Sequence, residues 1–343
     1  ICGGIFGEGT MEPVKWGIIS TANIGRQRVI PAMLQGDMTQ ICGVASRDIA
    51  AAQEYAKELG IPKVYGSYEE LLADPEIEAV YNPLPNYLHV PWTIKAAEAG
   101  KHVLCEKPIA MTADEAQTLI AVRERTGVRI EEAFMVRHHP QWRRARDLVR
   151  QGKIGRLRTI HAVFSYMNVD PNNVRNIVEI GGGGIYDIGC YPIVVSRFLF
   201  SDEPTRAVSL VERDPAMKTD RLASAILDFP EGHATFTCST QLAKYQRVQI
   251  LGTEGRIEIQ IPFNAPDQEP CRIFLDSGVE LGDGSAEAEV FDVVNQYTVQ
   301  GDVVSQGIRN GTAPEFPLED SVLNMRVIDA LFRSAETDTW EKV

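Results

Sequence analysis

A lysine stands between an acid and a proline at Glu106-Lys107-Pro108, directly after the apolar run His102–Cys105. A short apolar run of this kind predicts a buried strand, and ligand-binding residues gather where the strands of a parallel sheet end. The proline restricts the backbone of Lys107 and so helps to direct its side chain. The tripeptide therefore indicates a cation placed for chemistry, with a solvated lysine at a strand exit as the alternative.

A second group of reactive side chains follows the run Gly181-Gly182-Gly183-Gly184. The glycines allow a ligand to approach the backbone closely. Asp187 and Tyr191 are four residues apart, so on a helix they share one face and can converge on one small molecule. The alternative is that Asp187 caps the helix and that Tyr191 is a half-buried core aromatic.

The first predicted strand runs into a turn of small residues, Ser20-Thr21-Ala22-Asn23-Ile24-Gly25. A dinucleotide-binding turn has glycine at three positions, and here Ser20 and Ala22 replace the first two. Because both are small, backbone amides at the helix N-terminus can still approach a pyrophosphate. We expect residues 20–24 to contact a dinucleotide, with an ordinary βα turn as the alternative.

The end of the second predicted strand carries Ser46-Arg47, where an NAD-selective fold usually has an acid. A guanidinium and a hydroxyl suit the 2′-phosphate of NADP, which is therefore the favoured cofactor. NAD stays possible because Asp48 can take the acidic role. A solvated Arg47 at the start of a helix is the bland alternative.

The loop after the fourth predicted strand contains Pro85, Asn86 and His89. Asn86 can cap the following helix through its side chain. The same loop lies at the carboxyl edge of the sheet, so Pro85, Asn86 and His89 are also candidate contacts of the nicotinamide ribose, together with Glu106 and Lys107.

Two patterns divide the 343 residues, a length that suits two domains. From 14 to about 133, apolar runs alternate with helical patterns, which predicts parallel βαβ units with helices at 24–34, 49–59 and 113–126 among them. Beyond residue 134, longer runs with alternating character, such as 157–166, predict a second, mostly antiparallel sheet, and a helical segment at 318–337 closes the chain. We expect an α/β fold with a Rossmann-type dinucleotide-binding domain at 14–135, and an α+β domain with a large open-faced sheet at 136–343 for substrate binding and oligomerisation.

Residues 1–13 are expected to be a tag remnant or a disordered tail, because the first ten hold four glycines and lack the features of a secretion signal. The formal net charge of -13 argues against nucleic acid or an anionic membrane as a partner. No apolar run approaches the roughly 20 residues that span a bilayer. The scattered cysteines predict neither a metal site nor disulfides, so a cytoplasmic protein is expected.

The chain resembles the Gfo/Idh/MocA oxidoreductases, the family of glucose-fructose oxidoreductase, inositol dehydrogenase and rhizopine catabolism proteins. The resemblance covers nearly all of residues 15–343. It is carried by residues 16–25, Pro85-Asn86 with His89, Glu106-Lys107-Pro108, Phe134 with Arg137 and His139-Pro140-Gln141, and Asn173-Val174-Arg175. Within the family the chain is most similar to the branch of NADP-dependent D-xylose dehydrogenases, dimeric dihydrodiol dehydrogenases and glucose-fructose oxidoreductase.

The resemblance implies that Lys107 belongs to the catalytic group, with a cis bond to Pro108, and that Asp187 and Tyr191 lie opposite it across the nicotinamide. The phenol of Tyr191 is then expected to carry the alcohol proton. A free phenol is a poor base at neutral pH, so Lys107 would stabilise its phenolate and the developing alkoxide. Asp187 would accept a substrate hydroxyl hydrogen bond and keep the lysine charged. Arg137 and Arg175 are further candidate substrate contacts, beside Lys107, Asp187 and Tyr191.

The expected function is NAD(P)-dependent hydride transfer to or from a sugar-like carbinol, with oxidation of an aldose at C1 to a lactone favoured. Reduction of a keto- or anhydro-sugar and oxidation of a trans-dihydrodiol are the alternatives within this class. A non-catalytic dinucleotide sensor is the alternative outside it, although a sensor has no chemical need for Lys107, Asp187 and Tyr191. An uncovered sheet face implies a homodimer or homotetramer.

Overall fold

A computed structural model describes residues 11–343, and the first ten residues of the predicted tail lie outside the described part. The first sheet has six parallel strands. They are β1 (Val14–Ile19), β2 (Thr39–Ala45), β3 (Lys63–Tyr65), β4 (Ala79–Asn82), β5 (His102–Cys105) and β6 (Ile130–Glu132). Their order is β3-β2-β1-β4-β5-β6, so the strand order reverses between β1 and β4. A reversal of this kind opens a crevice at the carboxyl ends of the strands.

Helices connect these strands, after a π-helical turn at Gly25–Val29. They are α1 (Ile30–Met33), α2 (Ile49–Leu59), α3 (Tyr68–Ala73), α4 (His89–Glu98) and α5 (Ala113–Thr126). Local sequence sets their ends: Asp48 caps α2 and Thr112 caps α5 through side-chain oxygens, while Gly60 and Gly127 end the same helices with φ of 70° and 71°. Glycine reaches this left-handed conformation without steric cost.

The second sheet has nine strands. The helices and strands of this half of the chain are α6 (Pro140–Arg150), β7 (Leu157–Met167), α7 (Cys190–Phe200), β8 (Arg206–Arg213), β9 (Asp220–Phe229), β10 (Gly232–Ser239), β11 (Gln241–Gly252), β12 (Arg256–Ile259), β13 (Cys271–Asp276), β14 (Ala286–Phe291), α8 (Gln296–Asn310), α9 (Leu318–Thr337) and β15 (Glu341–Lys342). The strand order is β14-β13-β12-β11-β7-β10-β9-β8-β15, antiparallel except for the pair of β7 and β10. This architecture confirms the predicted fold class.

The two faces of the second sheet differ. On β7 the side chains of Ile160, Ala162 and Phe164 are buried on the face that packs against α6, α7 and α9, whereas His161 is exposed and Val163 half-buried on the other. Strand side chains alternate between faces, which is why the sequence showed the period of two.

Helix α8 returns to the first sheet. The indole nitrogen of Trp16 on β1 donates a hydrogen bond to Ser305 Oγ at 3.0 Å, and Val304 packs into the core of the first sheet. Among residues 11–343, no helix has the length and apolar character needed to cross a membrane.

The structure departs from the predicted elements at a few places. The predicted helix at 24–34 begins as a π-helical turn, and α3, β13 and β14 were not predicted. Strand β14 has the sequence Ala-Glu-Ala-Glu-Val-Phe and lies at the sheet edge, with its residues exposed or half-buried, and it consists largely of alanine and glutamate, which are depleted in strands.

Candidate active site

Lys107 lies directly after β5, with a cis bond to Pro108 as the resemblance implied. Its Nζ donates a hydrogen bond to the main-chain oxygen of Asp187 at 2.5 Å and lies 3.6 Å from Asp187 Oδ1. The same Nζ lies 4.9 Å from the centre of the Tyr191 ring. The Lys107 side chain is only 12% exposed. The structure thus brings together the three side chains that the sequence proposed as a catalytic group.

Both carboxylate oxygens of Asp187 are engaged. Oδ1 accepts from Arg175 Nε at 2.9 Å, and Oδ2 accepts from the Tyr166 hydroxyl at 2.5 Å. Burial acts to raise the pKa of Asp187, but the charges of Arg175 and Lys107 and the Tyr166 hydrogen bond outweigh it and lower the pKa to about 2. Asp187 is therefore ionised at neutral pH.

The glycine run shapes the start of the segment that carries Asp187. Gly183 has φ of 125°, and a Cβ built on it would lie 1.8 Å from Asp220 Oδ1. Asp220 Oδ2 accepts from the backbone amide of Ile185 at 2.6 Å. Asp220 thus binds the amide at the start of the π-helical turn Ile185–Gly189 and leaves Asp187 for the cleft, so the alternative of Asp187 as a cap does not hold.

The hydroxyl of Tyr191 does not face Lys107. It lies 3.6 Å from Met135 Sδ, and the ring packs against Phe134, Phe164 and Phe263. Burial raises the pKa of Tyr191 well above its usual value. This geometry differs from the expected proton carrier: the aromatic face, and not the phenol oxygen, meets the ammonium.

The predicted nucleotide turn lies at the end of β1, on the crevice side of the sheet. Ser20 has φ of 95°, and its Oγ accepts from the amide of Ala22 at 3.1 Å. A Cβ on Gly25 would lie 2.7 Å from the hydroxyl of buried Tyr55, so any side chain at this position would require Tyr55 to shift. Asn23 is exposed, and its neighbours Thr21, Ala22 and Ile24 are half-buried.

Two charged side chains, Arg47 and Asp48, follow β2, and they differ in their contacts. Asp48 is occupied as the cap of α2, since its Oδ1 accepts from the amides of Ala50 and Ala51 at 3.0 and 3.2 Å. Ser46 Oγ accepts from the Asp48 amide at 3.1 Å, and Arg47 is exposed. The alternative acidic role of Asp48 is therefore in competition with its capping role.

Comparison with known proteins identifies the family. The oxidoreductase family model with an NAD-binding Rossmann fold matches residues 14–134, and the GFO/IDH/MocA C-terminal domain model matches residues 142–258. The chain belongs to the Gfo/Idh/MocA oxidoreductases. The family predicted from the motifs is thereby confirmed, and with it the prediction of an enzyme.

Relatives within the Gfo/Idh/MocA family cover almost the whole chain. An uncharacterized oxidoreductase of Rhizobium meliloti is 48% identical over 97% of this chain and 100% of its own length. A D-xylose 1-dehydrogenase (NADP(+)) of Haloferax volcanii is 37% identical over 94% of this chain and 98% of its own. The solved structure of a 3-ketoreductase from Actinomadura kijaniata in complex with NADP and TDP-benzene has a TM-score of 0.87 at 28% identity, covering 94% of this chain and 98% of that one.

Arg137, although part of the Gfo/Idh/MocA resemblance, is not brought to the Lys107 group. Its guanidinium is paired with Asp320, lies 3.8 Å from the centre of the Phe316 ring and is 3% exposed. The prediction that Arg137 contacts the substrate is corrected, because the side chain is enclosed between α9 and the aromatic residues. Arg175, 41% exposed and bound to Asp187, is the arginine that reaches the site.

His89 also differs from its predicted role. It is 1% exposed, and its ring nitrogens lie 2.7 Å from the oxygen of Pro108 and 2.6 Å from the oxygen of Leu84. Burial lowers the pKa of His89 to about 4. The expected contact with the cofactor is therefore corrected: the ring is inside the fold, where it braces the backbone that follows Lys107.

The remaining predicted contacts lie around the same edge. Asn86 donates to the main-chain oxygen of Gly181 at 2.8 Å and so joins the two halves of the chain, with half-buried Pro85 before it. Glu106 accepts from the Tyr81 hydroxyl at 2.6 Å, and burial raises the pKa of this carboxyl group.

Sequence reasoning missed Tyr166. Its position at the end of β7 was predicted as part of a strand, and the period-two pattern through 160, 162 and 164 places residue 166 on the inner face. That signal was present, but only the packed fold shows that the inner face ends at Asp187.

Proposed function

We propose that this protein is an NADP-dependent dehydrogenase that oxidises an aldose at its anomeric carbon to a lactone. The observation that carries the proposal is the ammonium of Lys107, held 2.5 Å from the main-chain oxygen of Asp187 and next to an ionised carboxylate. The group lies at the sheet edge that also carries the nucleotide turn. Ligands bind at the carboxyl ends of the strands in a sheet of this kind, and dehydrogenation of an alcohol there also needs a group that takes the hydroxyl proton.

The residues at the crevice fit NADP. Residues 20–24 present small side chains and a helix N-terminus to a pyrophosphate, and Ser46 with Arg47 offers a hydroxyl and a guanidinium to a 2′-phosphate. Asp48, the residue that would favour NAD, is engaged by the amides of α2. When bound, NADP supplies the acceptor for the hydride of the alcohol carbon.

Lys107 is the group that we assign to proton transfer. As the carbon–hydrogen bond of the alcohol breaks, the hydroxyl proton leaves to a base, and in the reverse direction an acid returns it to the carbonyl oxygen. In oxidation Lys107 enters the step as the neutral amine, accepts this proton and becomes the ammonium, and in reduction the ammonium donates the proton and becomes the amine. Tyr191 supplies an aromatic face to the ammonium, because its hydroxyl is directed to Met135.

The charges around Lys107 favour an oxygen that becomes negative. Once Lys107 carries the proton, its ammonium and the guanidinium of Arg175 share the single carboxylate of Asp187, so one net positive charge remains among these three side chains. This positive charge develops beside the substrate oxygen as that oxygen becomes negative, and it stabilises the transition state more than the ground state. An uncharged sugar hydroxyl suits this balance.

A test of the proposal follows the absorbance of reduced nicotinamide with the purified protein, NADP and a panel of pentoses and hexoses. We expect reduction of NADP with at least one aldose and formation of the matching lactone. The second candidate, reduction of a keto-sugar, is favoured by the likeness to the 3-ketoreductase, and it predicts oxidation of NADPH by keto-sugars instead. If aldoses, keto-sugars and trans-dihydrodiols all leave the nicotinamide absorbance unchanged, both candidate functions are contradicted.

The outer face of the second sheet supports a homodimer, or a homotetramer built from such dimers. Leu210 and Ile226 are 77% and 39% exposed there, beside a groove of about 540 Å³. Apolar surface of this kind is usually covered by a partner.

A cytoplasmic location is supported by five free buried cysteines within residues 11–343, since exported proteins more often pair their cysteines in disulfides.

A further inference from the structure

Tyr166 reaches Asp187 from the centre of the second sheet. Its strand, β7, is paired on both sides, with β10 and β11. The residues around it are anchored: Ser165 Oγ donates to the main-chain oxygen of Ala243 at 2.7 Å, and the amide of Asn168 donates to the oxygen of Thr240 at 2.8 Å. Tyr166 is therefore carried on a rigid element and not on a loop.

The Tyr166 hydroxyl can act only as a donor toward Asp187. Burial and the adjacent carboxylate raise the pKa of Tyr166, so the phenol keeps its proton and donates it to Oδ2 at 2.5 Å. With Arg175 on Oδ1, the carboxylate is held from both sides and cannot rotate freely. The main-chain oxygen of the same residue is the hydrogen-bond acceptor of Lys107.

We infer that Tyr166 is a positioning residue, whose hydroxyl holds the carboxylate of Asp187 at its place beside Lys107 and so sets the charge that the reacting nitrogen meets. This inference rests on the proposed function. Tyr166 does not touch the reacting atoms, and it acts through Asp187. Its loss should lower kcat while leaving the KM for sugar and the affinity for NADP nearly unchanged.

Several charged and titratable groups face Asp187. They are Lys107 after β5, Arg175 in the turn before the glycine run, Tyr166 on β7, Cys190 and Tyr191 on α7, and Cys238 on β10. Of these, Arg175, Lys107 and Tyr166 lower the pKa of Asp187. Arg175 and Lys107 stay in place when the Tyr166 hydroxyl is removed, so its loss should change the position of the carboxylate and not its charge at neutral pH.

The test compares Tyr166→Phe with Tyr65→Phe. The control also removes a phenol that donates to a carboxylate at 2.5 Å, that of Asp74, but in the first sheet and outside the site. We expect about a tenfold or larger fall in kcat, with the KM for sugar nearly unchanged, for Tyr166→Phe alone. An unchanged kcat, a loss that falls mainly on KM, or equal losses in both variants would overturn the inference.

A double-mutant cycle separates positioning from a general structural effect. If Tyr166 acts through Asp187, Tyr166→Phe has little further effect on kcat in an Asp187→Asn background. Full additivity of the two losses would also overturn the inference. The wild-type protein must reduce NADP in the same assay, because an inactive wild type would contradict the proposed function. If the wild type is active and Tyr166→Phe has the same kcat, only the role of Tyr166 is contradicted.

Discussion

Lys107 Nζ is hydrogen-bonded to the main-chain oxygen of Asp187, at 2.5 Å, while the nearer carboxylate oxygen of the same residue is 3.6 Å away. The place of the ammonium is therefore set by the backbone of the second half of the chain, and its electrostatic environment by the side chain. Because the lysine belongs to the first sheet and the aspartate to the second, the site exists only when both halves are folded against each other.

Replacing Lys107 by alanine should reduce kcat on the order of 10²–10⁴-fold, because the proton-transferring group and its charge are lost. Binding of NADP, measured by fluorescence titration, should change little. Lys95→Ala is the matched control, since this exposed lysine pairs with Glu69 far from the cleft. Wild-type turnover by Lys107→Ala would contradict the assignment.

Replacing Arg47 by alanine should raise the KM for NADP by about 10- to 100-fold, the effect of one charge-assisted hydrogen bond to phosphate. The KM for NAD should stay near the wild-type value, because NAD has no 2′-phosphate. Arg125→Ala, which removes an exposed arginine paired with Glu98, should change neither. Equal effects on both cofactors would show that Arg47 does not recognise the phosphate.

Protonation of His139 should destabilise the fold in acid. Its Nδ1 accepts from the amide of Gln141 at the start of α6, the ring is fully buried, and burial lowers its pKa to about 4 from the ordinary 6.5. Between these two pKa values the unfolded chain binds more protons than the folded protein. The free energy of unfolding therefore falls as the pH falls, by up to about 1.4 kcal/mol per pH unit.

The measurement is urea unfolding of wild type and His139→Asn across this pH range, because the difference between the two cancels the titration of other groups. The free energy of unfolding of the wild type should fall toward that of the variant as the pH is lowered. His233→Asn, at an exposed histidine that does not line the groove of the proposed interface, should instead follow the wild type. A difference in the free energy of unfolding that does not change with pH would show that protonation of His139 is not coupled to folding.

Introducing a charge on the outer face of the second sheet should break the proposed dimer. Leu210→Glu would place an uncompensated carboxylate within the proposed interface, which is costly without a partner charge. Light scattering after size exclusion should show a monomer for Leu210→Glu and the wild-type mass for Val279→Glu, at a residue that is 82% exposed outside this face. A wild-type mass for both variants would argue against this interface.

Much of the fold was predictable because it depends on local patterns. The parallel strands of the first sheet are short and, apart from the half-buried edge strand β3, largely buried, and helices α2, α5 and α9 have the bounds that their periodicity indicated. Strand β14 was missed although its apolar and polar residues alternate, because alanine and glutamate are depleted in strands and the strand is held by edge pairing with β13.

The sequence by itself determined the family, the two kinds of sheet and the candidate group of Lys107, Asp187 and Tyr191, because motifs and periodicity are local properties of the chain. Only the tertiary structure decided how these side chains face one another. Packing against Met135 turns the Tyr191 hydroxyl away, Asp320 removes Arg137 from the site, and β7 brings Tyr166 to Asp187. These contacts join residues far apart in the sequence, and no local pattern records which of them meet.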